Sequence, residues 1–525
     1  MRETIEASDD EEHVIASSKV AGQGWDSQRQ SSSSVLFPRP APVEVQSLSS
    51  HVYEMLLFIY KQRIDVLFKV LHWPTFLSQL QSSDRGTSAA LKALENAVLF
   101  LAACSVDQSF CDEQQLGSRT KLLYDARQKT ECYLQDAQLL TTSSLTTLQA
   151  FVLYLMAIRC CGDAASTWSL LALAIRLADT CGVCPTAIST KLSPLDREQR
   201  RRLWFAIGLL DSQVAFGRGS LPLLNRNDLS DHPANLNDSE ITGDKLGQRS
   251  NTRFTDMSFS HLCHGAMIGQ RKLADPGFTK WENRLDIIAH FTDFVEQNFL
   301  PFEYSEVPIE RYVANCAKDM ISSMNLLLRR PPYKQHGDNI PISDDFDVMN
   351  MACRVIQSGL YKAKHADFAP YRWWQWPKWY ALAIVLVELL NSRSGQARER
   401  AYQIAKESFQ DYAQSASDAN SALLWKPIVK LMRLVDSVML RREPVQGMTP
   451  SGTDSNTISK HSNVFNGPTS ISTSMTSGET SLPEPCSDTS TPEFDWNAFL
   501  NDMDFSAFSD DRTDAQHDKI ALDLG

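Results

Sequence analysis

The chain has little of several things. Its 525 residues contain no apolar run near the roughly 20 residues a membrane span requires; the longest, Trp379 to Leu390, is interrupted by Glu388. The first twelve residues are acidic and lack the apolar stretch of a secretory signal. Eleven cysteines are too few for a disulfide framework, and most sit in apolar stretches such as Leu101–Cys104 and Phe151–Cys161. Together these absences lead us to expect a soluble intracellular chain with reduced core thiols. Positive charge is also scarce: 51 Lys and Arg against 63 Asp and Glu give −12, which argues against nucleic-acid binding by bulk charge. Catalytic motifs are missing as well, with no GxSxG, no GxxxxGK[ST] and no strand-bounded GxGxxG.

What remains is an ordinary globular composition, 43% hydrophobic and 22% charged, distributed unevenly. Residues 1–50 are polar, with the run Ser31 to Ser34 and Pro38, Pro40 and Pro42, and read as a disordered lead. Helix-type apolar periodicity runs from about 51 to 441, and strand-type alternation is hard to find. An all-α fold is expected, in one large regulatory-type domain. The periodicity predicts helices over 52–69, 91–106, 120–137, 144–160, 167–180, 195–216, 281–297, 309–328, 347–364 and 376–391. The helix at 195 is the best marked. Ser193 offers an N-cap, Pro194 the first helical position and Asp196 a capping carboxylate, while Leu203, Ile207, Leu210 and Val214 form one apolar stripe. Gly217 and Gly219 end it.

Residues 442–490 form a Ser, Thr, Pro and Gly-rich linker, and 491–525 an acidic tail with nine carboxylates against Arg512 and Lys519, a net 2 − 9 = −7. Trp496, Phe499, Leu500 and Met503 there fall at i, i+3, i+4 and i+7, with Phe505 and Phe508 beyond. Such a segment is too short and too charged to fold alone and is expected to order when its aromatic face enters a partner's groove, the alternative being a C-terminal helix docked back on its own core.

Several local patterns have a plain structural reading. Cys181-Gly-Val-Cys184 has the spacing of half a zinc ribbon, but no second CxxC exists, so two core or helix-end thiols are expected. His261-Leu-Cys-His264 reads as ordinary helix residues, since i, i+2 and i+3 do not converge on a metal. Asp344-Asp345-Phe-Asp347 resembles the magnesium motif of the all-α terpene synthases. An isoprenoid-cyclising enzyme would need a second triad that is not found, and the acids after Pro341 and Ser343 suit a helix start. The Arg200–Arg202 triplet is diluted by Asp196 and Glu198 and reads as a salt-bridged helix face.

The stretch Ser193-Pro-Leu-Asp-Arg-Glu-Gln-Arg-Arg-Arg-Leu-Trp-Phe-Ala-Ile-Gly-Leu-Leu-Asp211, followed by Phe216-Gly-Arg-Gly-Ser220, resembles the central motif of the fungal-specific transcription factor domain, the middle homology region of zinc-cluster regulators. Glu198, Arg201, Arg202, Leu203, Trp204, Leu210, Asp211, Gly217 and Arg218 occupy its places. Tyr60 through Leu71-His72-Trp-Pro-Thr-Phe76, Ser144 to Ala150, Trp168 to Gly182, His232-Pro233 through Asn237-Asp238 and Arg330-Pro331 match further segments in order.

The resemblance covers about 50 to 440 and implies an RNA polymerase II regulator in the nucleus, an activator of the pathway- or gene-cluster-specific kind found in secondary metabolism. It implies co-activator or basal-machinery contacts through the tail and a possible small-molecule effector. One departure is large. The family's zinc module needs six cysteines in two Cys-x2-Cys-x6-Cys halves, yet the first cysteine here is Cys104, so no zinc or other cofactor is expected in this chain. Either the protein lacks a DNA-binding module and works as a co-regulator through a DNA-binding partner, or the sequence begins at an internal methionine. Within the central motif, Asp211 and the arginines are too far apart to pair along one helix, so each is expected to pair across the bundle, with Arg218 opposite Asp211.

The tail yields a direct test. Residues 491–525 fused to a heterologous DNA-binding domain should activate a reporter, and Trp496→Ala with Phe499→Ala should abolish the signal; an inactive intact fusion would reject the tail's role.

Overall fold

In the computed structural model of the protein, residues 36, 48–218, 220–229, 231–247, 253–274, 280–329, 346–375, 378–391, 395–416 and 422–440 are described. The lead up to residue 47 (save Leu36), Gly219, Arg330-Pro331, Asp344 and Asp345, the linker and the tail with Trp496, Phe499, Leu500, Phe505 and Phe508 lie outside them. Among the described residues the regular structure is helical, as the periodicity predicts; the only β-type pairing is a single bridge between Ile241 and Leu246. No described helix is long and apolar enough to cross a membrane.

The α-helices, in chain order, are α1 (Ser50–Ile59), α2 (Trp73–Gln81), α3 (Ala89–Cys104), α4 (Gln108–Glu113), α5 (Arg119–Asp136), α6 (Leu145–Cys160), α7 (Ala164–Thr180), α8 (Pro194–Arg218), α9 (Ser258–Ala274), α10 (Trp281–Asn298), α11 (Pro308–Arg329), α12 (Val348–Lys364), α13 (Trp379–Asn391), α14 (Gln396–Ala416) and α15 (Ala422–Leu440). Short side chains set many of their starts. Ser88 accepts from the Leu91 N–H (3.2 Å), Ser118 from Lys121 (3.1 Å), Asp163 from Ser166 (3.1 Å) and Ser193 from Asp196 (3.0 Å). Each satisfies one of the donors that a helix N-terminus leaves unpaired. The Ser193 hydroxyl also donates to the Asp196 carboxylate at 2.8 Å. At the far end of α7, Gly182 sits at φ +66°, where the chain turns back so that the Val183 N–H reaches the Ala178 carbonyl at 2.8 Å.

Two helices make the centre. α3 and α6 are apolar nearly all round: Ala93, Ala97, Val98, Phe100 and Leu101 are buried in the first, and every residue from Thr147 to Ile158 in the second. A helix without a polar face must be enclosed on all sides. α3 accordingly lies between α5 and α6, its alanines allowing close approach. A second hydrophobic cluster is built by α12 to α15, around Val355, Ile356, Leu382, Val385, Leu386 and Leu431. α11 serves both clusters, giving Met324 and Leu328 to the first and Leu326 to the second.

Some boundaries depart from the periodicity. The helix predicted over 52–69 is α-helical only to Ile59; a single π turn follows over Tyr60–Ile64, closed by Asp65 N–H donating to the Tyr60 carbonyl at 2.9 Å. The wider turn is a known mark of functional segments, and here it carries Lys61 and Asp65 into a polar cluster described below. The helix predicted from Trp376 begins at Trp379, beyond Pro377, which disfavours helical backbone in the residue before it. α2, α4, α9, α14 and α15 were not predicted as separate helices. In α14 Ala401, Ala405 and Ser408 dilute the buried stripe that Ile404 and Tyr412 also form, which weakens its apolar signal; α15 is apolar but contains the helix breaker Pro427.

Candidate functional site: a buried ion-pair hub

Glu198 and Arg202 stand one turn apart on α8 and face inward, both about 1% exposed. Such burial is costly unless each charge is paired. Arg202 meets that demand across the fold. Its Nη1 donates to Asp238 Oδ1 at 2.6 Å and to the Leu71 carbonyl at 3.3 Å, while its Nε lies 3.6 Å from Glu198 Oε1. Glu198 in turn accepts from the Ala234 N–H at 2.8 Å, holding the strap that leads to Asp238.

Asp238 is the hub. Its other oxygen accepts from Lys69 Nζ at 2.6 Å and from the Trp73 N–H at 2.9 Å, which starts α2. Lys69 also donates to Asp65 at 2.5 Å, and Lys61 reaches the same Asp65 oxygen at 2.8 Å. Three acids (Asp65, Glu198, Asp238) thus face three cations (Lys61, Lys69, Arg202), a neutral cluster, 3 − 3 = 0. Burial alone would raise the Asp238 carboxyl, but Lys69 and Arg202 overrule it and hold the group well below the usual carboxylate range.

The Asp238 backbone is fixed too. Its N–H donates to Asp256 at 2.9 Å, and its carbonyl accepts from His72 Nε2 at 2.9 Å. Because a carbonyl only accepts, Nε2 carries the ring proton, and Nδ1 of the neutral ring accepts from the Thr75 hydroxyl at 2.7 Å. Burial lowers the His72 pKa, which favours that neutral ring. Tyr60, wholly buried and stacked on Trp73 at 5.6 Å, closes the cluster; burial and the nearby Asp65 and Asp238 carboxylates hold its hydroxyl protonated.

A second clamp lies two turns further along α8. Asp211 accepts from the N–H groups of Leu223 and Leu224, both at 2.9 Å, and pairs with Arg271 of α9 at 3.2 Å. Arg271 also donates to Ser212 (2.7 Å) and to the Leu224 carbonyl. Asp211 therefore takes its cation from α9; the side chain of Arg218, expected opposite it, lies outside the described residues. Arg201 pairs with Asp231 at 2.7 Å, and the Trp204 indole N–H donates to the Asp228 carbonyl at 2.6 Å. Gly217 lies in the last turn of α8, where no atom would meet an added Cβ within 4 Å. The motif residues thus hold one loop, 220–240, against α8.

The other sequence patterns are placed as follows. Cys181 caps α7, its thiol 3.7 Å from the Ser144 carbonyl, and burial pushes both Cys181 and Cys184 up to about 11. His261 and His264 share α9, His261 at 2.9 Å from the Pro233 carbonyl and His264 buried against Phe205, ring centres 4.3 Å apart. Asp347 caps α12 by accepting from the Asn350 N–H at 2.9 Å. Among the described residues no group of three His, Cys, Asp or Glu could hold a metal ion. Sequence reasoning named His72 and Asp238 only as parts of a motif, and it missed Asp65, Lys69 and Arg271. The signal available was Asp65-x3-Lys69, an i,i+4 pair of opposite charge on an otherwise apolar segment.

Residues 57–264 match the sequence model of the fungal specific transcription factor domain. The matched span begins in α1 and ends in α9, and it contains all six charges of the hub. Among curated proteins the chain is similar to the C6 finger domain transcription factor nscR of Trichophyton verrucosum, 26% identical over 70% of this chain and 58% of that protein. It is similar also to the C6 finger domain transcription factor adaR of Aspergillus niger, 24% identical over 73% of this chain and 53% of that protein. The nscR protein of Aspergillus fumigatus is 23% identical over 71% and 51%. The chain spans a little over half the length of these curated relatives.

Two outcomes follow. Asp211→Ala should destabilise the domain by about 3 kcal/mol, because it strands the buried Arg271 guanidinium and two backbone N–H groups; unchanged denaturant unfolding would contradict this. The second concerns pH. Burial, with His261 and His232 nearby, holds His264 well below its ordinary pKa, and His72 shifts the same way. Below about 6.5 the unfolded chain takes up protons that the folded chain refuses, so stability is present above that pH and is lost as pH falls from about 7 to about 5. His264→Phe should flatten that loss, as measured by urea midpoints across the range.

Proposed function

We propose that the chain is the regulatory and activating part of a pathway-specific transcriptional regulator of RNA polymerase II genes in a fungus, acting in the nucleus on a gene cluster of secondary metabolism. The observation that supports this best is the agreement between the fungal specific transcription factor domain over 57–264 and the ion pairs built from its motif residues. The named roles of the relatives, transcription factors with C6 fingers, point the same way. In this reading the helical body is a scaffold and regulatory module rather than a reaction centre. Its buried charges hold the 61–73 segment, α8 and the loop after α8 together.

The remaining functions fall to other parts. The acidic, aromatic segment 491–525 recruits a co-activator or the basal machinery. DNA is contacted by a six-cysteine zinc module whose spacing is absent from these 525 residues, borne on a partner chain or on further sequence of the same protein. The chain itself then needs no metal, and a small-molecule effector would act on the helical body. Deleting the gene should lower the transcripts of a physically contiguous set of biosynthetic genes, measured by RNA sequencing under producing conditions. A transcriptome without any such coordinated loss would overturn the proposal.

A further inference from the structure

Cys104 is the last residue of α3 and Cys161 the first beyond α6, so the most enclosed pair of helices in the fold ends in two thiols. Their sulfurs are 3.8 Å apart. That is van der Waals contact, and closing it to a bond of about 2.0 Å asks for side-chain rotation more than backbone movement. The two positions also differ in access. Cys104 is 6% exposed, and its thiol lies 3.6 Å from the Ala157 carbonyl; Cys161 is partly exposed. The chain leaves Cys161 through Gly162 at φ +85°, a sharp exit that glycine adopts readily, and the residues of this turn are partly exposed.

Cations stand around the pair. Arg119 donates to the Val106 carbonyl (2.7 Å) and to the Cys104 carbonyl (3.2 Å), which places its guanidinium at the end of α3. Arg127, paired with Glu131 at 2.8 Å and Asp163 at 3.3 Å, is a second cation acting on Cys161. The Cys104 thiol, then Arg119 and Arg127, draw the Cys161 pKa below its ordinary value, whereas burial pushes the adjacent Cys160 up to about 12. A partly exposed thiol whose pKa is drawn down by nearby cations and that touches a second thiol is the arrangement of a peroxide-sensitive pair.

We propose that Cys161 and Cys104 form a reversible redox-modification site for hydroperoxides, Cys161 being the sulfur that is oxidised first and Cys104 the one that resolves it. The Cys161 thiolate attacks a peroxide oxygen, the O–O bond breaks, and hydroxide leaves, giving Cys161 sulfenic acid. The Cys104 sulfur then attacks the Cys161 sulfur, the S–O bond breaks, and water leaves with the Cys104 proton. In sum two thiols lose two electrons and hydrogen peroxide becomes two waters. The disulfide staples α3 to α6 across a 57-residue separation that includes α4 and α5. Such a staple restricts the unfolded chain, so the oxidised form unfolds at a higher temperature.

The whole chain, titrated with hydrogen peroxide and digested without reductant, tests this. A peptide joining Cys104 to Cys161 is expected, removed by dithiothreitol, together with an upward shift in thermal midpoint. Cys160→Ser should leave the cross-link intact, and Cys161→Ser should abolish both the cross-link and the shift. If the variants fail to fold, the wild-type peptide map still decides. Cross-linking through Cys160, or accumulation of Cys161 as sulfinic acid with Cys104 still free, would overturn the assignment.

Discussion

The Asp238 carboxylate, gripped by Arg202 on one oxygen and Lys69 on the other, is the contact on which the rest of the domain hangs. Three parts of the chain far apart in sequence meet there: the opening segment around Lys69, α8, and the loop after it. Lys69 has Asp65 beside it and Arg202 has Glu198, but Asp238 takes its cations wholly from the other two segments. A buried carboxylate without them costs several kcal/mol, so the three segments favour one another's burial. That mutual dependence makes the contact an assembly condition as well as a source of stability.

The arrangement has a logic that apolar packing would not supply. The central helices α3 and α6 are buried on every face, and a uniformly apolar helix can rotate or slide among neighbours with little change in transfer energy. Directional, charge-assisted hydrogen bonds fix the register of the surrounding layer. The hub and the Asp211–Arg271 clamp fix how α8 sits against the 61–73 segment and α9, beside the apolar centre. The π turn at Tyr60–Ile64 fits this view, since it places Lys61 and Asp65 in the same cluster.

Much of this was legible in the sequence, for identifiable reasons. The all-α class followed from long 3.6-residue periodicity, and α8 was readable nearly to its ends because Ser193, Pro194 and the glycines at 217 and 219 mark both termini. α14 was obscured by buried alanine and serine, which carry little apolar signal, and α15 by Pro427, a helix breaker within an otherwise apolar stretch. The charged residues were the hardest to interpret. Arg202 reads as one of three adjacent arginines on a salt-bridged face, expected to pair across the bundle with a partner that local spacing does not name, and what separates it from Arg200 is a carboxylate 36 residues away. Asp238 was marked only as the end of a matched loop segment, with nothing in its polar neighbours to show that it is buried. Pairing across a fold is a property of tertiary geometry, and local spacing records only one end of it. Likewise Cys104 and Cys161 read as separate core thiols until the helix ends that carry them were brought together.

The most direct test of the central claim is a double-mutant cycle on Arg202 and Asp238. Denaturant unfolding would be measured for Arg202→Met, Asp238→Asn and the combined variant. If the two side chains form the joint on which the domain closes, each single variant strands the other's charge and the double variant is far less destabilised than the sum, with a coupling of about 2–3 kcal/mol. Additive effects, with coupling within about 0.5 kcal/mol of zero, would show the pair to be incidental to the fold and would contradict the account.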